Sequence, residues 1–568
     1  MKRTREARLL PYCLSLVLLA MLLAGCEGSS SNPGSATAVV SKPNNAIEVT
    51  MSYSSEKKPW LEPLVVEFNR KQVKAANGKP IFVTASVGDS GTIADQIAQG
   101  QNLPTVWSPS TSLWIAVVNQ EADRTVLDRS DPLLLTPVVM AMWKPMAQAL
   151  GWPDKPIGLS DIIELNNSST GWGAKGHPEW GKFKYAHTNP DVSSTGLSAV
   201  TAEFYAAVGK VRDLNEADVN DPKVKTFIES IENSIVHYSK TTTIFKENVE
   251  KGGMDYISAV AFEEVTVIEL NKKGTLKTPL VAIYPKEGTF YHDNPFIVPL
   301  ATPPDAKAAA EIFKQYLLQA DSQRAAVQLG FRPANPDVKA EFAAAFNQNV
   351  GVDATQPKSV LDVPSPQVLI KVKNAWKDYR KQANVVLVLD ISGSMGSPTD
   401  TGSKFYNALE GLKVFLDQTR AEDNVGFITF ADNVDYLVPL DKFSTTKDKI
   451  TAIINARSFQ QGGTALYDAV GDAVTLLQKK GDSSRINAVV VLTDGQDTNS
   501  IRFNQSSLAT LLSNNNDLGV RVFPIAYGAS GEVDVNALQR MADLTRTILV
   551  RGGSTDIRQI YDQISKYF

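Results

Sequence analysis

A chain of 568 residues exceeds what one hydrophobic core organises, so two or more cores are expected. With 43% hydrophobic and 21% charged residues, the composition is that of a soluble globular protein. The formal net charge is −4 although four of the first eight side chains are basic, so the body is mildly acidic. That excludes the basic face on which nucleic-acid binding depends.

The N-terminus reads as a targeting segment. Lys2, Arg3, Arg5 and Arg8 precede the apolar run LLPYCLSLVLLAMLL, which is followed by Ala24, Gly25 and Cys26. This is the order of a charged region, an apolar region and a small-residue cleavage site. The run is short for a bilayer span of roughly 20 residues, and no later segment reaches that length. Leu23, Ala24, Gly25 and Cys26 resemble the lipobox of bacterial lipoproteins, which implies a diacylated Cys26 as the first mature residue. Cys13 lies in the leader, so the folds must stand without disulfides. Residues 1–26 are then a lipoprotein signal peptide, and 27–46, rich in Ser, Gly, Asn and Pro, a flexible tether reaching about 25 Å. The acyl chains supply membrane affinity, which places the protein outside the cytoplasm on the bacterial cell membrane.

Residues 47–382 read as mixed α/β. EVTMSYS and PIFVTASVG are strand-like, LEPLVVEFNRKQ and TIADQIAQGQ helical, and one helix between the first two strands suits a parallel crossover. Hydroxyl-rich loops follow at Ser54 and Ser55, at Ser90 with Gly91, at Ser108 and Ser110, and at Ser193, Ser194 and Thr195. Hydroxyls and backbone N–H groups at helix starts favour anions, yet the same residues cap helices. No Arg or Lys lies inside these loops, so no particular oxyanion or sugar is marked. Trp107, Trp114, Trp172 and Trp180 suit either ligand stacking or core packing. The histidines at 177, 187, 237 and 292 show no metal-ligand spacing. VGDSGTIADQI, PTVWSPSTSLW, KYAHTNPDVSSTGLSAV, YPKEGTFYHDNPFIV and LGFRPANP resemble periplasmic solute-binding proteins of the type serving oxyanion, iron and related importers. The resemblance implies two lobes that close on a ligand, with Glu263 at a ligand or hinge position. A salt-bridged surface role for Glu263 is the competing reading. A helix within 364–383, begun by Ser and Pro, leads almost directly into the next strand and limits the relative orientation of what it joins.

From residue 384 apolar strands alternate with amphipathic helices. Strands are expected at 384–390, 425–430, 487–493, 520–526 and 546–550, with helices near 403–419, 464–479, 505–515, 534–543 and 555–566, and an antiparallel edge at 434–440. This alternation predicts a doubly wound, Rossmann-like α/β sheet, whose sites form beyond the carboxyl ends of its strands. Three loops there carry oxygen donors: Asp390, Ser392 and Ser394, then Thr464, then Asp494. Two carboxylates and three hydroxyls suit Mg²⁺, with Mn²⁺ or Ca²⁺ as alternatives, and leave a position free. Asp497 reads as a solvated loop carboxylate, with a second metal role as the alternative, and Asp432 and Asp435 as turn and edge residues. DISGSM, GGT and TDG resemble the metal-ion-dependent adhesion site of von Willebrand factor type A domains in order and in their separations of 74 and 104 residues. The resemblance covers 384–568. It implies direct metal bonds from Ser392 and Ser394, a direct or water-mediated one from Thr464, and mostly water-mediated ones from Asp390 and Asp494. The free position then accepts a carboxylate of a partner protein.

The expected function is a membrane-anchored extracytoplasmic binding protein with a metal-dependent protein-docking site and a solute-binding-like module. The alternative is the substrate-binding lipoprotein of an ABC importer with an accessory type A domain. No G-x-S-x-G elbow or nucleophile–base pair is visible in the sequence, so no enzyme is expected.

Overall fold

β1 (Ile47–Tyr53) and β2 (Ile81–Val87) run parallel, joined through the helix Lys58–Arg70 as expected, and β3 (Val106–Ser108) pairs along the other side of β1. The register sets Tyr53 opposite both Val87 and Ser108. The loops bearing Ser54, Ser90 and Ser110 therefore leave this sheet at one edge. The computed structural model describes residues 40–514, 519–528, 531–553 and 557–568; the leader, Cys26 and most of the tether lie outside them. Residues 42–568 form one unit.

The second sheet is built on β4 (Leu134–Trp143), whose run LLTPVVMAMW is buried almost throughout. A strand covered on both faces needs such a continuous apolar run. β4 is flanked by β6 (Ala259–Glu263), with β5 (Tyr185–Ala186) beyond it, and by β7 (Leu280–Ile283); β8 (Tyr291–His292) and β9 (Arg332–Pro333) also pair with it. β9 brings Arg332 onto buried Glu264 in a forked pair, Nε to Oε1 at 2.7 Å and Nη2 to Oε2 at 2.5 Å.

The C-terminal sheet has β10 (Ala383–Asp390) at its centre; β11 (Pro398–Thr399) and β12 (Gly402–Ser403) form a small ribbon beside it. With β13 (Asn424–Phe430), β14 (Val434–Lys442), β15 (Ile486–Thr493), β16 (Arg521–Tyr527) and β17 (Val550–Gly552) the order is β14-β13-β10-β15-β16-β17, parallel except for the β14 edge. Val385, Leu387 and Leu389 enter one core and Val386 and Val388 the other, as the two-residue period of a strand covered on both faces requires. Three details depart from the sequence reading. A helix at Phe443–Ala456 was not foreseen, although its buried Phe443, Thr446, Ile450 and Ile454 recur at helical spacing. The last strand begins at Val550 rather than 546, because Arg546 takes a left-handed φ of 57° to end the helix Val535–Thr545. Thr464 precedes its helix, which starts at Leu466.

The helix Pro366–Tyr379, capped by the Ser365 side chain, joins the two halves. Lys381 N donates to the Tyr238 hydroxyl at 3.0 Å, and Arg380 is buried. One apolar core containing Tyr256 and Trp376 continues into Phe523, Tyr567 and Phe568.

Candidate metal and solute sites

Because β10, β13 and β15 are parallel and in register, their carboxyl ends lie side by side, and the expected oxygen donors meet there. Asp390, the last residue of β10, is fully buried; its Oδ1 accepts from Ser392 N at 2.8 Å and its Oδ2 from the Thr493 hydroxyl at 2.6 Å. Ser394 Oγ donates to Asp494 Oδ1 at 2.6 Å and lies 3.2 Å from Ser392 Oγ. A side chain at Gly495 would sit 3.4 Å from Thr464 Oγ1 and 3.8 Å from Ser394 Oγ, which places those hydroxyls around the same point. Ser392, Thr464 and Asp494 are buried, whereas Ser394 is exposed and opens the cluster to solvent.

This donor set fits a hard divalent cation. It is all oxygen, and the 3.2 Å between the serine hydroxyls is close to the edge of about 3.0 Å in an octahedron with bonds near 2.1 Å. Burial pushes the Asp390 carboxyl up to about 6, against the hydrogen bonds from Ser392 and Thr493; the neighbouring Asp494 adds to the rise. A nearby dication removes that penalty.

Three contacts around the donors were not legible in the sequence. Lys404 Nζ stands 2.9 Å from Asp494 Oδ2 and 2.9 Å from Glu532 Oε2, so an ammonium already offsets one donor carboxylate. Asp432, expected to be a turn residue, accepts from Gly463 N and Asn499 Nδ2, both at 2.7 Å, and ties the second loop to the third. Asp497 accepts from Tyr467 N at 3.0 Å, which makes it a brace rather than a solvated carboxylate. Gly463 sits tight against the third loop: a Cβ there would fall 2.0 Å from Asn499 Oδ1, so that side chain would have to shift. Asp435 pairs with Arg457 at the sheet edge.

Near the edge of the first sheet, Ser54, Ser55, Ser90 and Ser110 face Ser193, Ser194, Thr195 and Glu263 across a cavity of about 240 Å³. Ser108 and Gly91 do not line it. Ser108 is buried with its hydroxyl unpartnered. Gly91 lets the chain pass close to Asp191, whose carbonyl oxygen would lie 2.3 Å from a Cβ there. Neither Ser54 nor Ser193, each at a helix start, makes a side-chain cap bond, so capping is not what occupies these hydroxyls. They have other partners: Ser54 Oγ donates to Glu56 Oε1 at 2.6 Å and accepts from Ser110 Oγ at 3.0 Å, and Ser193 Oγ accepts from Thr188 Oγ1 at 2.7 Å; beside them Ser194 Oγ donates to Ser90 Oγ at 3.1 Å.

No Arg or Lys lies inside these loops, but two lysines stand beside them. Buried Lys57 donates to Ser54 Oγ at 2.5 Å, Glu56 Oε1 at 2.8 Å and Asn294 Oδ1 at 2.8 Å, and Lys240 pairs with Asp89 at the rim at 2.8 Å. Burial alone would raise the Glu56 carboxyl, but the Lys57 ammonium outweighs it and holds the carboxyl below its ordinary range. Glu263 is buried, not a surface residue; Thr195 donates to its Oε1 at 2.7 Å and its Oε2 has no hydrogen-bond partner among the described residues. None of the four tryptophans lines the cavity; Trp107, Trp114 and Trp172 are core, and Trp180 stacks on His177. The structure also assembles a serine, a histidine and a glutamate, with Ser198 Oγ 2.9 Å from His292 Nε2 and His292 Nδ1 3.2 Å from Glu263. Ser198 is buried inside the helix Ser194–Val208 and, like His292, is absent from the cavity wall, so of the trio Glu263 alone faces the cavity and Ser198 is not an exposed nucleophile.

Comparison with known proteins accords with both halves. Residues 384–563 match the von Willebrand factor type A domain, and residues 49–332, half of the chain, match the family of bacterial extracellular solute-binding proteins. Inter-alpha-trypsin inhibitor heavy chain H2 of Homo sapiens is 25% identical over 197 residues, 32% of this chain and 20% of that protein. Calcium-activated chloride channel regulator 1 of Equus caballus is 28% identical over 163 residues, 28% of this chain and 16% of that one. The chain thus spans about a fifth of the length of the inhibitor heavy chains it matches. Among solved structures, the sulfate-binding protein SubI of Mycobacterium tuberculosis is 16% identical, with a TM-score of 0.39 over 58% of this chain and 96% of that one. A von Willebrand factor type A structure from Catenulispora acidiphila is 19% identical, with a TM-score of 0.28 over 33% and 43%. The chain belongs to the bacterial extracellular solute-binding proteins and carries a von Willebrand factor type A domain at its C-terminal end.

Proposed function

We propose that this is a membrane-anchored extracytoplasmic binding protein whose type A domain docks a partner protein through a Mg²⁺-dependent adhesion site. The observation that carries the reading is the convergence of Asp390, Ser392, Ser394, Thr464 and Asp494, four of them buried, under one exposed hydroxyl. Bound there, Mg²⁺ (or Mn²⁺ or Ca²⁺) would supply a Lewis-acidic position for a carboxylate oxygen of the partner. Asp390 holds the first loop by accepting from Ser392 N, and Asp432 holds the second against the third. Anchoring rests on the leader and on Cys26, which match a lipoprotein signal. We assign no catalysis, because the serines of DISGSM serve as metal donors and Ser198 is enclosed. Calorimetric titration of Mg²⁺ and Mn²⁺ into the mature chain tests the site. Wild type is expected to take up one ion and Asp390→Ala none; a wild type that binds neither ion ends this reading.

The cavity favours a second activity, that of an importer's receptor or a ligand sensor. Lys57 is neutralised by Glu56 and Lys240 by Asp89, whereas Glu263 Oε2 is unpaired. Hydroxyls with a spare carboxylate suit a small hydroxylated solute that is neutral or bears an amine, and disfavour an oxyanion.

A further inference from the structure

Away from both sites, side chains from three elements meet in the interior: His187 beyond β5, Glu203 in the helix Ser194–Val208, and Glu232 at the end of the helix Pro222–Glu232. Each offers one ligand atom within 4.8 Å of the others, and none is more than 1% exposed. His187 Nδ1 lies 2.8 Å from the Thr188 carbonyl oxygen, which can only accept, so Nδ1 carries a proton. Nε2 is thereby turned toward Glu232 Oε1 at 3.0 Å. Glu232 is held from outside, by Trp376 Nε1 at 2.8 Å on Oε1 and by the Tyr238 hydroxyl on Oε2. Glu203 is the anomaly, because neither of its oxygens has a hydrogen-bond partner among the described residues. Burial and the charge of Glu232 drive its carboxyl well above the ordinary range. Even as a neutral acid, however, it would hold an O–H with no acceptor, an arrangement native interiors avoid.

We propose that His187 Nε2, Glu203 and Glu232 bind a single divalent transition-metal ion, zinc by the character of the donors. One imidazole nitrogen and two carboxylates fill three of the four positions zinc takes, the fourth being left to a water, and two negative charges cancel the dication, so the buried site becomes electroneutral. Bonds of about 2.0–2.2 Å in tetrahedral geometry separate ligand atoms by about 3.3–3.6 Å, within reach of the present spacing after small side-chain rotations. The Thr188 carbonyl, Trp376 and Tyr238 then serve as the outer hydrogen bonds that orient metal-bound imidazole and carboxylate. Trp376 belongs to the helix Pro366–Tyr379 that leads into β10, so its hydrogen bond to Glu232 ties the site to the segment that enters the type A domain. The ion itself cross-links the segments at 187, 203 and 232 of the solute-binding part, in a chain whose only cysteines are Cys13 and Cys26.

The test is the zinc content, by elemental mass spectrometry, of untagged protein produced in zinc-replete medium. Wild type and Asp390→Ala are expected to carry about one zinc per chain, and Glu203→Gln less than a tenth of that. Zinc returned after chelation should raise the melting temperature of wild type and leave Glu203→Gln unchanged. Diffraction at the zinc absorption edge should place an anomalous peak within bonding distance of His187, a result that stands even if the variant folds poorly. A wild type that remains zinc-free after zinc is supplied, a Glu203→Gln that holds as much zinc as wild type, or a peak elsewhere overturns the proposal.

Discussion

Lys404 sets the strength of the metal site at the level of one side chain. Its ammonium, 2.9 Å from Asp494 Oδ2 and mostly enclosed, competes with a cation for that carboxylate. Lys404→Met is therefore expected to tighten Mg²⁺ binding by about tenfold, roughly 1.4 kcal/mol. Calorimetric titration of the two proteins decides it; weaker binding in the variant would mean that the lysine positions Asp494 rather than competing for it. DISGSM, GGT and TDG were readable because each donor stands within a few residues of a strand or helix end. Lys404 was not, since its contact with Asp494 spans 90 residues and depends on how the helix Lys404–Gln418 lies across the sheet.

Among elements, the three central strands are tied at their starts by a buried ladder of amides. Asn424 Nδ2 donates to Asn384 Oδ1 at 2.7 Å, and Asn384 Nδ2 to Asn487 Oδ1 at 2.9 Å, between residues that the parallel register sets opposite one another. Asn384→Leu leaves a donor on Asn424 and an acceptor on Asn487 unmatched in the core. It should cost about 1–3 kcal/mol for each group, read as a lower urea midpoint. The loop after the helix Pro222–Glu232 supplies a second case through His237. Its Nδ1 donates to the Tyr238 carbonyl at 2.6 Å and its Nε2 accepts from the Tyr256 hydroxyl at 2.8 Å. Burial, with Arg521 nearby, lowers its pKa to about 3. The native imidazole stays neutral while the unfolded one protonates near 6.5, so this group has no effect above about pH 7. Stability is lost as the pH falls from 6.5 toward 3. Between pH 7 and pH 5 the loss is about 2 kcal/mol, and His237→Phe should show a shallower decline across the same interval.

For the whole molecule, the question is whether the two halves move as separate bodies. Asn189 Nδ2 donates to the Lys566 carbonyl at 3.2 Å, Tyr238 N to that of Tyr567 at 3.3 Å and Asn248 Nδ2 to that of Arg546 at 3.0 Å. Lys251 pairs with Asp543 at 3.1 Å, and the ring of Tyr567 lies beside His237. Arg380 and Lys381, which the sequence presents as tryptic sites in a joint, are held against Tyr238. Trypsin should therefore spare both bonds in the native protein and cut them only in denaturant; ready native cleavage at 380 or 381 would show that the halves separate.

What the sequence determined by itself was local in origin. Strand and helix periods, the βαβ crossover and the hydroxyl and carboxylate loops at strand ends all follow from neighbouring residues, and a parallel sheet brings its carboxyl ends together without further instruction. The helix Phe443–Ala456 carried the same kind of signal and could have been read. Tertiary structure alone decided the rest: Lys57 against Asn294 across 237 residues, Asp432 bridging to Asn499, His187 with Glu203 and Glu232, and the seating of Tyr567 beside His237. Those contacts arise where helices and loops pack in orientations that no local pattern encodes, because burying apolar area is non-directional and leaves the polar partners to be settled by the final packing.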